Sequence, residues 1–268
     1  MSRLLLTRLV LACCLSGFCS AVVRAQDCTV PPIVPNAKAV NIFSPEQEMI
    51  LGDLTYQRLS VDMRFVKDPQ LLAYVNRIGE RLIRHLPPTG LKFQFFIIDI
   101  PTANAFDVPG GYIFISRKLI GFANNEDELA GVMAHELGHA VVRHGANDFS
   151  ELLKKLLNVT QVGDRKDIAE KYNLLIERSR TKNISNSEGS EQQLQADRAG
   201  VYALVAAGYD PNAFAAFFDR LAETNGKTGN WFGDIFGKVK PDQKRLREMI
   251  KLSEQLPPAC RDAVGSHS

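Results

Sequence analysis

VMAHELGHAVVRHG, residues 132–145, places three of the chain's five histidines within ten positions. Its centre is His135-Glu136-x-x-His139. On an α-helix a four-residue step nearly completes one turn, so the two imidazoles project from one face and can reach the same cation. Zinc takes imidazole nitrogen at about 2.0–2.1 Å and, in catalytic sites, three protein ligands with one position left open. Glu136 follows the first histidine, where a carboxylate can act as general base toward water polarised by the ion. Together these parts hydrolyse an amide.

His144 invites a three-histidine site. The metzincin pattern needs a glycine three residues after the second histidine and a further histidine three residues later. Those positions hold Val142 and Gly145, which excludes that class. His144 falls five residues past His139, off the ligand face, and reads as structural or as a support behind the ligands. The third ligand has to come from downstream.

Outward from this stretch, helical periodicity runs from Glu126 to about His144. Before it, LKFQFFIIDI (91–100) is rich in aromatic and β-branched residues and predicts a strand. VPGGYIFISRKLI predicts a Pro-Gly-Gly turn and a second strand over Tyr112 to Ser116, with PTANAFD between the two as a loop. Earlier still, Ser44-Pro45 and Asp68-Pro69 each predict a capped helix start. Downstream, helices are predicted over 148–157, 166–180, the SEQQLQADRAGVYALVAAG segment, Asp210 to Phe218 and Pro241 to about Gln255, with loops at 179–190 and 225–237. The reading is α+β: one mostly helical, zincin-like domain over 44–256, with a small β-sheet before its central helix.

Hydrophobic residues make up 45% and charged residues 23%, a globular balance. The formal charge of +2 and the lack of a dense Lys/Arg stripe argue against a nucleic-acid partner. Residues 1–25 combine Arg3 and Arg8, an apolar run from Leu9 to Val23 and a Val23-Arg24-Ala25 cleavage pattern, as in a secretory signal peptide. A lipoprotein reading through Cys13 would leave a very short apolar region and ranks below cleavage. Residues 26–43 are an extended lead-in and 257–268 a tail. Cys28 and Cys260 survive cleavage, and an even pair in an oxidising compartment suggests a disulfide between the ends. The most apolar later stretch, VYALVAAGYDPNAFAAFF, is broken by Gly208, Asp210 and Pro211, so the mature chain is not expected to span a membrane.

NAFDVPGGYIFIS, NEDELAGVMAHELGHAVVRH, QADRAG and GYDP, in this order and spacing, resemble peptidase family M48, which includes the CAAX-prenyl endopeptidases and a periplasmic protease of β-barrel assembly. The similarity runs from about Phe43 to Met249. It implies a gluzincin fold, one Zn²⁺ per chain, an exported and periplasmic endopeptidase, unfolded or misassembled envelope proteins as substrates, and contact with envelope assembly machinery. In the family motif a zinc-binding Glu stands four residues before the Asp of Ala-Asp. Counting back from Asp197 reaches Gln193, a departure at a ligand position. Gln193 is the favoured third ligand, binding through its amide oxygen and more weakly than a carboxylate. Glu191 lies about 200° around the helix from it. Asp197 shares its face but has a short side chain, and the resemblance implies that it braces the ligands instead.

Many periplasmic relatives carry His-Pro followed by Arg near the C-terminus; here Lys240 precedes Pro241 and Arg245 comes one residue early. Arg245 or Arg247 is therefore a candidate for stabilising the oxyanion, although a solvated, charged helix face is the favoured reading. An extended substrate is expected to add to the sheet near Tyr112 to Ser116. A second functional reading is a pseudo-protease that binds unfolded clients as a chaperone or assembly factor. Gln193 favours it, and the intact Glu136 argues against it.

Overall fold

The computed structural model describes residues 40–182, 190–224 and 243–255. The signal-peptide and lead-in assignments, the Cys28–Cys260 pair and the C-terminal tail lie outside them. The fold is α+β and mostly helical. Helices α1 (Pro45–Asp62) and α2 (Pro69–Ile83) start at the two predicted caps. Ser44 accepts from the Gln47 backbone while the Gln47 side chain accepts from Ser44 N–H, a capping box. Asp68 accepts from the N–H groups of Gln70 and Leu71.

Three strands follow: β1 (Gln94–Ile98), β2 (Ala105–Val108) and β3 (Tyr112–Ser116). Their order is β1-β3-β2, with β1 parallel and β2 antiparallel to β3. Two sequence expectations are corrected here. The segment read as a loop contains strand β2, and Tyr112 to Ser116 is the central strand, with both edges already paired. Ala-Phe-Asp-Val is too short and too close to turn-forming residues for periodicity to mark it. Tertiary packing makes it a strand: Phe106 stacks on Phe114 with centroids 5.0 Å apart, and Pro109-Gly110-Gly111 closes a hairpin between paired Val108 and Tyr112. Gly110 and Gly111 have φ of 88° and 87°, which L side chains rarely adopt. The two edges are β1 and β2. The 64–66 segment already bonds to β1, with Val66 N–H donating to Ile97 O and Asp99 N–H to Arg64 O, which leaves β2 as the edge for an added strand.

Ser116 ends β3, as the sequence predicts, and caps a short helix, α3 (Arg117–Phe122), for which there is no sequence prediction. Next come α4 (Glu126–Val142), α5 (His144–Leu157), α6 (Arg165–Lys182), α7 (Ser190–Ala206), α8 (Pro211–Thr224) and α9 (Gln243–Glu254). The sheet separates two cores. Ile113 and Ile115 pack with α2, α4 and α8, whereas Phe106 and Phe114 pack with α1, α5 and α6. No helix among the described residues is long and apolar enough to cross a membrane.

Helix α4 is buried along nearly its whole length. Asn125 caps it, and its first-turn carboxylates, favourable at a helix N-terminus, tie it to its neighbours. Arg77 of α2 forks onto Glu126 at 3.0 and 2.7 Å, and Arg220 of α8 onto Glu128 at 2.8 and 2.6 Å. Against α7 the approach is set by two glycines. A Cβ on Gly138 would lie 2.2 Å from the Ala196 carbonyl oxygen, and one on Gly200 would lie 2.6 Å from that of Ala134. Backbone cannot yield as a flexible side-chain end can. Gly138→Ala is therefore expected to destabilise the fold by about 1–3 kcal/mol through overpacking, read as a lower urea midpoint. An unchanged midpoint would mean that α4 and α7 stand further apart than described.

Candidate metal centre

The glycine contacts place α7 directly over the two α4 histidines. Gln193 and Asp197, four residues apart, face them from one side of α7. His135 Nε2 and His139 Nε2 lie 3.0 Å apart, and the Gln193 amide nitrogen is 3.3 Å from His139 Nε2. Behind His135, Asp197 Oδ1 accepts from Nδ1 at 2.8 Å. All four side chains are buried, Asp197 completely. Glu136, at 9% exposure, is the least enclosed of the site residues on α4.

Asp197 decides how His135 can be used. A buried carboxylate accepts, so Nδ1 carries the hydrogen and Nε2 presents its lone pair. That lone pair faces a second imidazole nitrogen and a carboxamide whose ends are interchangeable by rotation. Two imidazole nitrogens and one amide oxygen fit a zinc-type ion, with less charge neutralisation than a carboxylate would bring. Among the described residues no three His, Cys, Asp or Glu side chains are grouped to hold a metal.

The profile of peptidase family M48 matches residues 69–253. The chain belongs to peptidase family M48. It is 32% identical over 209 residues to the β-barrel assembly-enhancing protease of Yersinia pestis, covering 74% of this chain and 42% of that protein. The corresponding Escherichia coli K12 protein is 31% identical over 195 residues, 69% of this chain and 39% of the relative. The mitochondrial metalloendopeptidase OMA1 of Schizosaccharomyces pombe is 29% identical over 194 residues, 69% and 53% of the two chains. The chain thus spans between about two fifths and half the length of these relatives.

The other sequence candidates of this M48 domain can now be placed. Glu191 is exposed and accepts from Gln195 at 3.3 Å, on a different face of α7 from Gln193. Asp197 addresses the outer nitrogen of His135. Arg245 lies on α9, but its side chain is outside the described set. His144 is not on a continuation of α4, as the sequence suggested. Arg143, with φ of 68°, breaks the helix, so α5 turns His144 back to bring Nδ1 within 3.0 Å of His139 Nδ1. Arg143 is held in this left-handed conformation by Glu48 at 2.7 Å and by the Thr89 carbonyl. Burial pushes the His144 ring down to about 4, so it is neutral near pH 7. The sequence carried no signal for the partners of His144 and Arg143, because both depend on how distant helices dock.

Next to Gln193, Gln192 donates to Asp148 of α5 at 2.9 Å. Burial raises Asp148 to about 6. On the edge strand, burial, aided by the charge of Asp148, raises Asp107 to about 8 from an ordinary 3.8. Between these two values the unfolded chain binds fewer protons than the folded one, so Asp107 makes stability fall as pH rises from about 4 to about 8. Asp107→Asn removes that ionisation. Urea unfolding at pH 5 and pH 8 is expected to show a smaller loss of stability across the interval in the variant. Equal losses in both proteins would mean that Asp107 ionises normally in the fold.

Proposed function

We propose that the chain is an exported zinc endopeptidase that hydrolyses peptide bonds in unfolded or misassembled envelope proteins. The observation that carries this reading is the convergence of His135, His139 and Gln193 beside Glu136. His135 and His139 would hold the ion through Nε2, and Gln193 through its amide oxygen. When bound, zinc supplies Lewis acidity toward a scissile carbonyl and a water molecule. Glu136 takes the proton from the attacking water and returns it to the departing amine. Asp197 keeps His135 in the tautomer that this arrangement needs.

Strand β2 is a sheet edge and packs against α4, the helix that carries His135, Glu136 and His139, so an extended chain added to β2 is the substrate-binding mode we infer. Only a segment without its own strand partners can add in this way, which favours unfolded clients. The names of the bacterial relatives support a role in envelope protein assembly. Residues 1–25 support export, and N-terminal sequencing of the exported protein should start at Gln26.

Wild-type protein is expected to cleave a denatured substrate in a zinc-dependent manner. Glu136→Gln should keep the metal and lose about 10²–10⁴-fold in rate, the scale of general acid–base catalysis. Equal rates in the two proteins would remove Glu136 from the mechanism. Gln193 gives one specific reason to weigh a client-binding protein without hydrolysis. That reading predicts client binding, no cleavage by wild type, and no change on Glu136→Gln.

An amide brings a dipole where the family motif brings a charge. Gln193→Glu is therefore expected to raise zinc affinity about tenfold or more, within the range by which supporting groups tune metal sites. Competitive chelator titration of both proteins at one pH measures it. Indistinguishable affinities would place Gln193 away from the ion.

A further inference from the structure

Helices α5 and α7 are joined by two side-chain contacts, one turn apart. Asp148 accepts from Gln192, and one turn earlier on α5 His144 Nε2 lies 3.0 Å from Gln195 Oε1. The first contact ties helices together. The second continues inward, because His144 Nδ1 meets His139 Nδ1, and outward, because Gln195 Nε2 donates to Glu191 Oε1 at 3.3 Å. Glu191, Gln195, His144 and His139 thus form a single file of hydrogen bonds ending at a candidate metal ligand.

Such a file has a direction. An ionised carboxylate can only accept, so Glu191 turns the Gln195 amide nitrogen toward itself and the amide oxygen toward His144. An amide oxygen can only accept, so His144 must carry its hydrogen on Nε2. A neutral imidazole with its hydrogen on Nε2 has a lone pair on Nδ1, so His139 must donate from Nδ1. The remaining nitrogen of His139, Nε2, then presents a lone pair toward His135.

We propose that Gln195, oriented by Glu191, is a positioning residue that directs hydrogen bonds through His144 and keeps His139 Nε2 open for the metal. This rests on the zinc reading above only for its last step. The alternative direction shows what Gln195 prevents. If His144 carried its hydrogen on Nδ1, His139 would carry its own on Nε2 and donate to His135 Nε2. The two ligands would then satisfy each other, and the nitrogen needed for the ion would be blocked. With the Gln195 oxygen in place that direction sets two acceptors, His144 Nε2 and Gln195 Oε1, 3.0 Å apart. The proposed direction moves the acceptor pair to His135 Nε2 and His139 Nε2, also 3.0 Å apart. There the Gln193 amide nitrogen at 3.3 Å can donate to His139, and a cation would take both lone pairs. The acceptor pair is thus kept at the candidate metal position.

The test uses two variants of the full mature chain. Gln195 is half-buried, so Gln195→Met keeps its length and removes its polarity with little disturbance of the core. The double variant Glu191→Gln/Gln195→Glu keeps total charge, keeps an acceptor facing His144, and supplies a donor from position 191. Long-range ¹H–¹⁵N spectra of the metal-free proteins show which nitrogen of His144 and His139 is protonated, and chelator competition gives zinc affinity. The expected result is His144 protonated on Nε2 in wild type and in the double variant. In Gln195→Met this should shift toward Nδ1, with zinc affinity lower by about tenfold.

Unchanged tautomer and affinity in Gln195→Met would overturn the proposal. So would weaker zinc binding with an unchanged tautomer, which is the signature of a packing role, or a double variant that behaves like Gln195→Met. Wild-type protein that shows the expected tautomers but binds no zinc would leave the hydrogen-bond direction standing and overturn the zinc reading instead.

Discussion

The structure depends on how closely α7 lies on α4. Gly138 and Gly200 give the two helices reciprocal notches, each filled by the other's backbone. The polar contacts that reach from α7 to the α4 histidines presuppose that distance. The Asp197 side chain is short, and it reaches His135 at 2.8 Å only because the helix axes are close. Side chains at the notches would move the brace and the amide together, away from both imidazoles.

On this frame the site is organised from its periphery inward. Asp197 acts on the outer nitrogen of His135, and His144 acts on the outer nitrogen of His139. Both metal-facing nitrogens are therefore governed by groups that would not touch an ion. One brace is a buried carboxylate; the other is a neutral imidazole, backed by an amide. The His135 side gains charge assistance that the His139 side lacks, so the two candidate ligands would differ in donor strength although they are the same residue type. The amide of Gln193 adds to this by supplying no charge of its own.

The fold class and the central histidines were legible because they rest on local pattern: helical spacing, two Ser/Asp-Pro caps and a Pro-Gly-Gly turn. Position 193 came from the family resemblance, by counting back four residues from Asp197, and the two residues do share a face of α7. What could not be read is set by distant partners. Phe106 makes a strand of a turn-like stretch by stacking on Phe114. Arg143 ends α4 two residues before the expected point because Glu48 and Thr89 hold it in a left-handed conformation that a non-glycine residue seldom takes. On an unbroken helix His144 would fall off the ligand face. Its actual position comes from that break, and no periodicity argument carries across it. Gln195 looked like one more polar residue on a helix.

The charged start of α4 also governs its rotation. Glu126 and Glu128 are two residues apart, hence about 200° apart around the axis. Arg77 and Arg220 therefore hold the helix from nearly opposite sides, like two stays on a mast. Any roll of α4 that relaxes one fork stretches the other. His135 and His139 lie on the same rigid rod two to four turns further along, so their bearing is fixed by torque resisted at the far end. The Arg77–Glu126 pair is largely exposed and contributes little to stability, whereas Glu128 is buried beneath Arg220. These two set an angle instead, and their worth lies in the aim of the imidazoles.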